Sequence, residues 1–411
     1  MPTKSGAILK GTLENIRILD LSRVLAGPWA TQLLGDYGAD VIKVERPASG
    51  DDTRQWGPPW LNHDAAGESA YFLSTNRNKR SITVDLKTQQ GCELVKALAV
   101  HADVLVENFK AGSMAKFGLD YETLRAVNSR LIYCSISAYG QGNSRSAEPG
   151  YDAMMQARGG LMSITGAPDS EGGSPQKVGV AIADIMAGMY AATAILAALN
   201  ARQQTGAGEH IDVPLYGSQV AWLANQGMNY LVGGNVPQRL GTAHPNLVPY
   251  QVFATRDGHL MLAVGNDRQF AACCEVLGVP QLAADHRFRC NADRVANRDS
   301  LVELLAGALQ QADTEHWLQT LAVAVVPAGP VNDIATVFTD DFAAETGLVR
   351  HIKHPDTESL PSIANPVTFS TNKVSYRQAP PRLGEHTREV LSEWLDYDDE
   401  SIAKLERDGV I

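Results

Sequence analysis

The 411-residue sequence is short of cysteine: five residues, at 92, 134, 273, 274 and 290, with one adjacent pair. So sparse and odd a set supports no disulfide framework and has no CxxC metal spacing, so a reducing, cytoplasmic setting is expected. Positive charge is also in deficit. Against 46 Asp and Glu stand 35 Lys and Arg, a net charge of −11. Without a global basic field, binding along a nucleic-acid backbone is excluded, and any anionic ligand must be held by a local cluster. Met1–Gly6 lead into a polar stretch, with neither the apolar run of a signal peptide nor the Arg-rich pattern of a transit peptide. One stretch, Val178–Leu199, nears the length of a membrane span. It carries Asp184 and many Ala and Gly, so a buried helix and no membrane partner are expected.

Familiar site motifs are missing too. No GxGxxG follows a strand: Gly140-Gln141-Gly142 runs on into Asn143-Ser144-Arg145. There is no GxxxxGK[ST], GxSxG or HExxH. His351 and His354 lie three apart without ligand-like neighbours and read as a solvated or structural pair, so no metal is expected.

What the sequence does have is alternation. The runs Ile16–Asp20, Asp40–Glu45, Ser81–Asp85, Asp103–Glu107, Leu131–Ser137 and Glu209–Val213 read as strands, with helical patterns at Gly27–Asp36 and Thr88–Val100 between them. This predicts parallel βαβ units and a Rossmann-like, doubly wound α/β sheet, whose ligands lie at the carboxyl ends of strands. The loops after Asp20, Glu45 and Glu107 are therefore the places for a site. Asn143–Lys177, rich in Gly, Ser and Pro, reads as a long irregular connection. Beyond about Gly233, Tyr250–Thr255 and Gly258–Val264 form a hairpin pattern around Asp257-Gly258, and helical patterns follow. A smaller α+β domain is expected there. The expected division is 1–215 for the large domain, 216–345 for the small one, and 346–411 for a segment returning to the large domain.

Asp184 is the first candidate for chemistry. It sits in Ala181-Ile182-Ala183-Asp184-Ile185-Met186-Ala187-Gly188, where a helical pattern begins. It reads as a helix N-cap and, compatibly, as a carboxylate in a tight Gly- and Ala-lined pocket, where desolvation would make it a better nucleophile. The second candidate is cationic density: Lys43, Arg46, Arg54, Arg77, Lys79 and Arg80. That is either a solvated face or a local phosphate and carboxylate site using Arg as a bidentate clamp. Asn108-Phe109 directly follow a strand, where a ring either stacks on a purine or joins the core.

Eight segments occur in order: RILDLSRVLAGPWATQLLGDYGADVIKVERPASGDDTRQWGPP, NRNKRSITVDLK, ADVLVENFKAGSMAKFGLDYETL, LIYCSISAYGQ, GYDAMMQARGGLMSITG, VGVAIADIMAGMYAATAILAAL, VPAGPVNDI and PRLGEHTREVL. Through them the chain resembles, over essentially its whole length, the class III CoA-transferase family of formyl-CoA transferase and carnitine CoA-transferase type. The first and last segments, with GTAHPNLVPYQVFATRDG, are most similar to its succinyl-CoA–glutarate CoA-transferase branch. The resemblance implies an enzyme that moves CoA from an acyl-CoA such as succinyl-CoA to a short carboxylic or dicarboxylic acid such as glutarate. Its route is an aspartyl anhydride and then an aspartyl-CoA thioester.

The resemblance puts the catalytic aspartate at Asp184 and the CoA contacts at Val24, Arg46, Val84, Lys87, Asn108, Phe109, Lys116 and Tyr151. Lys116 stands where relatives often carry Arg, which loses the bidentate fork. Acyl-binding candidates are Leu25, where formyl-transferring relatives carry Gln, and Arg54, with Trp56 and Tyr71, for the distal carboxylate. The glycine-run loop of those relatives is missing between Gly234 and Tyr250. No permanently bound cofactor is implied, CoA being a substrate, and the implied assembly is an interlocked homodimer. Racemases of this fold pair a His with an Asp. The His position falls on Tyr151, whose ordinary pKa of about 10 suits that proton shuttle poorly. A 2-methylacyl-CoA racemase and a non-catalytic CoA-binding protein are the alternatives.

Overall fold

The computed structural model describes residues 11–63 and 67–411, so the reading of Met1–Gly6 lies outside the described residues. Six strands form one parallel sheet: β1 (Arg17–Asp20), β2 (Asp40–Glu45), β3 (Lys79–Thr83), β4 (Val104–Glu107), β5 (Ile132–Ser137) and β6 (His210–Pro214). Their order is β3-β2-β1-β4-β5-β6, the doubly wound arrangement expected. Chain direction across the sheet reverses between β1 and β4, so the topological switch point lies at the carboxyl ends of those strands.

The strands are apolar because both faces are covered. On one face Ile18, Val104 and Ile132 pack with the helices Ala26–Asp36 and Ile182–Thr205. On the other, Leu19, Ile42 and Leu105 pack with the helices Gln89–His101, Thr387–Leu395 and Asp399–Arg407. β3 begins two residues before the expected Ser81, at Lys79. Lys79 and Arg80 are buried there because neighbouring carboxylates pair them.

By length and composition the helix Ile182–Thr205 could cross a membrane, yet half of its most apolar 18-residue window is buried in the structure. Ala183, Ala187, Gly188, Ala191 and Ala192 are buried. A Cβ on Gly188 would lie 2.5 Å from the Ala26 carbonyl oxygen, so only glycine lets these helices approach so closely. The small residues of this helix thus serve its packing, while the cavity that Asp184 lines takes its small wall residues, Ala26, Ala111, Ala138 and Gly150, from other segments. The 143–177 stretch is not wholly irregular: it holds the helix Asp152–Arg158, too short to show a clear apolar period.

The chain divides into two compact units. One contains the described residues up to Gly159, with Gly179–Trp222 and Asp341–Ile411; the other contains Gly160–Val178 and Leu223–Asp340. The second differs from the expected 216–345 range chiefly by taking in Gly160–Val178. In it β7 (Tyr250–Ala254), β8 (His259–Ala263) and β9 (Ala328–Pro330) form an antiparallel sheet in that order. Phe253, Leu260, Phe270, Leu305 and Trp317 make its core.

In the first unit, β10 (Val349–His354) and β11 (Thr357–Ile363) form an antiparallel hairpin that the sequence did not suggest. His351 Nδ1 lies 2.8 Å from Ser359 Oγ, and His354 Nδ1 accepts the Asp356 N–H at 3.0 Å. The tail then runs back to the parallel sheet. Arg80 bridges to Glu389 and Glu393, and the Asp85 N–H donates to the Val410 carbonyl at 2.8 Å.

Candidate active site

Two cavities open at the carboxyl ends of the parallel strands. The first, about 260 Å³, is lined by Arg23, Val24, Leu25, Asn108, Phe109, Tyr151 and Asp184 among others. The second, about 340 Å³, is lined by Arg46, Val84, Lys87, Phe117 and Gly409, and again by Arg23 and Phe109. The fold thus gathers almost every residue that the resemblance singled out for CoA. Lys116 is the exception: it is exposed on the short helix Ser113–Lys116 and lines neither cavity.

The loop after β1 is held rigidly. Asn108 accepts the Arg23 N–H on Oδ1 at 2.8 Å and donates from Nδ2 to the Arg23 carbonyl at 2.6 Å. Val24 takes a left-handed φ of 70°, strained for a β-branched residue. Its N–H is caught by both oxygens of Asp51, each at 3.2 Å. Asp51 is itself paired with Lys43 Nζ at 2.9 Å. Burial would raise the Asp51 carboxyl, but Lys43 and the Thr53 hydrogen bonds hold it well below the usual range. Glu107, at the end of β4, accepts the Phe109 N–H at 2.8 Å and so fixes the ring-bearing residue. Burial pushes the Glu107 carboxyl up to about 7.

Asp184 is the third residue of its helix, not the N-cap; Ala181 holds that place without a side-chain cap. Asp152 caps the helix from outside. Its Oδ1 accepts the N–H groups of Ala183 at 2.8 Å and Asp184 at 3.4 Å, and its Oδ2 accepts Gln156 Nε2 at 2.7 Å. The Asp184 carboxyl is thereby freed from capping and lines the first cavity. Burial, and then the Asp152 carboxylate, push it up to about 7. Burial and the carboxylates of Asp184, Asp152 and Asp51 push the Tyr71 hydroxyl up to about 12, so it stays neutral near Asp184. The Tyr71 and Trp56 rings meet edge to face at 5.2 Å.

The cationic density turns out to be internal. Arg54 is buried. It makes a bidentate pair with Glu45 at 2.8 and 2.7 Å, binds Glu68 at 2.5 Å and the Pro381 carbonyl at 3.1 Å, and lies over Phe72. Four of its five N–H donors are thus engaged, so it has no free fork for a substrate carboxylate. Arg77 clasps Asp36, Lys79 binds Asp20, and Arg80 binds Asp40, Glu389 and Glu393. Of the six cations, Arg46 alone lines either of these two cavities, paired there with Asp52 at 2.5 Å. Sequence reasoning passed over two residues. Arg23 sits in the loop after β1, where a site was expected, and Asp152 lies within a stretch read as irregular. Among the described residues no group of three His, Cys, Asp or Glu is arranged to hold a metal ion.

A family model described as CoA-transferase family III matches residues 13–387. The succinate–glutarate CoA-transferase of Agrobacterium fabrum is 47% identical over 93% of this chain and 96% of its own length. The succinyl-CoA:glutarate CoA-transferase of Homo sapiens is 44% identical over 97% of this chain and 90% of its own. Among solved structures, a CAIB/BAIF family protein from Brucella suis superposes with a TM-score of 0.83 at 44% identity, covering 94% of this chain and all of that one.

Proposed function

The chain belongs to CoA-transferase family III, and from that premise we propose that it moves CoA from succinyl-CoA to glutarate or a similar short diacid, with Asp184 as nucleophile. The observation that carries this reading is the desolvated Asp184 carboxyl, released from capping by Asp152, inside a cavity at the switch point of the sheet. A carboxyl titrating near 7 is about half ionised at neutral pH, and its anion is poorly solvated, which favours attack.

An Asp184 oxygen attacks the succinyl-CoA carbonyl carbon and the CoA thiolate leaves, giving a mixed anhydride. The thiolate attacks the aspartyl carbon, releasing succinate and leaving CoA on Asp184 as a thioester. A glutarate oxygen attacks that thioester and expels the thiolate. The thiolate then attacks the glutaryl carbon, so glutaryl-CoA departs and the Asp184 carboxylate is restored. Each step forms a tetrahedral oxyanion. Asp152 already holds the first-turn N–H groups of Ala183 and Asp184, so the oxyanion donors are other groups. Arg46 and Lys87, lining the second cavity, supply charge for the CoA phosphates, while Val24, Val84, Asn108, Phe109 and Tyr151 contact the rest of CoA.

An interlocked homodimer fits the large apolar side chains that this chain leaves exposed, among them Leu231, Val232 and Ile334 in the second unit and Phe342 in the first. Five unpaired cysteines support a reducing, cytoplasmic setting. A panel of acceptors (glutarate, succinate, itaconate, citramalate) with succinyl-CoA, read by mass spectrometry of the new thioesters, tests the reaction. Glutaryl-CoA among the leading products is expected. Deuterium uptake at the α-carbon of an acyl-CoA without any acceptor would point to a racemase instead.

A further inference from the structure

We propose that Arg23 grips the second carboxylate of a diacid while its first is joined to Asp184, and so selects diacids over monoacids. This rests on the reaction proposed above. An acyl group bonded to Asp184 must fit inside the first cavity, and a diacid leaves a negative charge there. The cavity also carries the carboxyls of Asp52 and Glu148, so a further anion needs a cation. Glu148 is already neutralised by Arg145 and Arg158 at 3.0 and 2.7 Å. Arg54, the earlier candidate, is occupied by Glu45 and Glu68.

The cations lining this cavity are Arg23 and Lys110, and Lys110 is exposed. Arg23 differs. Its side chain is 33% exposed and its guanidinium lies over the Phe109 ring, 4.9 Å from the centroid. Its Nε is buried without a hydrogen-bond partner among the described residues, and its Nη1 makes only a long 3.4 Å contact with Asp52. A buried donor left open in this way costs free energy until an acceptor arrives.

The backbone beneath it is fixed by the two Asn108 hydrogen bonds and the Asp51 clamp on Val24, so the side chain starts from a rigid base. The planar fork, with donors to spare, suits a carboxylate. Arg23 lines both cavities, and because the second has Arg46 and Lys87 as well for phosphate, the Arg23 fork can serve the acyl group in the first.

The test pairs a residue change with a substrate change in the full-length protein. Glutarate and its monomethyl ester are compared as acceptors for wild type, Arg23→Met and Arg23→Lys, with the Kd for CoA measured alongside. Wild type should favour glutarate over the ester by roughly 10–100-fold in kcat/KM, the size of a lost charged hydrogen bond. Arg23→Met should erase most of that preference while the CoA Kd moves less than about twofold, and Arg23→Lys should restore part of it. Unchanged discrimination in Arg23→Met, or a weaker CoA Kd with glutarate KM intact, would overturn the proposal. A wild type that transfers CoA but treats acid and ester alike would sink this assignment alone. A wild type that transfers CoA to no acid would sink the underlying reaction as well.

Discussion

Asp152 accepts the backbone N–H of Asp184 at 3.4 Å and that of Ala183 at 2.8 Å, so one carboxylate caps the helix from which the other acts. The arrangement separates two roles that a single aspartate could not fill together. Asp152 satisfies the open helix end, and Asp184 keeps its oxygens for chemistry.

The pairing has a signature in pH. Asp152 is the charged group that, after burial, raises the Asp184 carboxyl; Tyr71 nearby stays neutral. Asp152→Asn keeps an acceptor for the cap but removes the charge. The acid limb of the rate of covalent adduct formation should then move from near pH 7 to lower pH. Asp152→Ala should lose the cap as well, at about 1 kcal/mol of stability. An acid limb that stays put in Asp152→Asn would show that the two carboxylates are not coupled.

The same raised carboxyl costs stability. In the unfolded chain Asp184 loses its proton near 3.8, whereas in the folded chain it holds the proton up to about 7. Between those values the folded state binds more protons, so stability falls as pH rises through the window. Asp184→Asn removes that loss. It should raise the melting temperature at pH 8 by about 2–4 °C, the shift expected for about 1 kcal/mol in a domain of this size. The gain should shrink as pH is lowered from 7 to 5. Calorimetry across that range checks the sign, and a gain that grows on acidification would contradict it.

Arg54 and Glu45 are a buried pair, so Arg54→Met strands a carboxylate in the core. The expected cost is about 3–5 kcal/mol, seen as a lower melting temperature, with glutarate KM unchanged in protein that remains folded. Normal melting with a raised KM would return Arg54 to a substrate role.

These residues also mark how far the sequence was legible. The parallel strands could be read because burial on both faces demands continuous apolar runs such as Val41-Ile42 and Val104-Leu105-Val106. Asp184 was legible as an acid among small apolar residues. The cationic density was misread because its partners lie elsewhere in the chain. Asp20, Asp36 and Asp40 come from around β1 and β2, and Glu389 and Glu393 from the distant tail. Linear charge density cannot tell an anion site from buried pairs that only sheet register and the returning tail create. Asp152 left no trace, because a tertiary cap has no sequence spacing.

Arg46 and Lys87 are both exposed in a protein of net charge −11. Affinity for CoA should therefore fall several-fold between about 0.05 and 0.5 M salt, as screening over a few ångströms to about 10 Å implies. Titration calorimetry at several ionic strengths checks it. A salt-independent Kd would mean that the phosphates are not held by these side chains.

The central claim is that Asp184 becomes covalently joined to CoA. Incubation with succinyl-CoA, followed by proteolysis and mass spectrometry, should find CoA on the peptide that contains Asp184. Hydroxylamine should release it and leave a hydroxamate on that aspartate. Asp184→Ala should form no adduct and transfer no CoA while keeping its fold. An adduct on another residue, or substantial transfer by Asp184→Ala, would contradict the account.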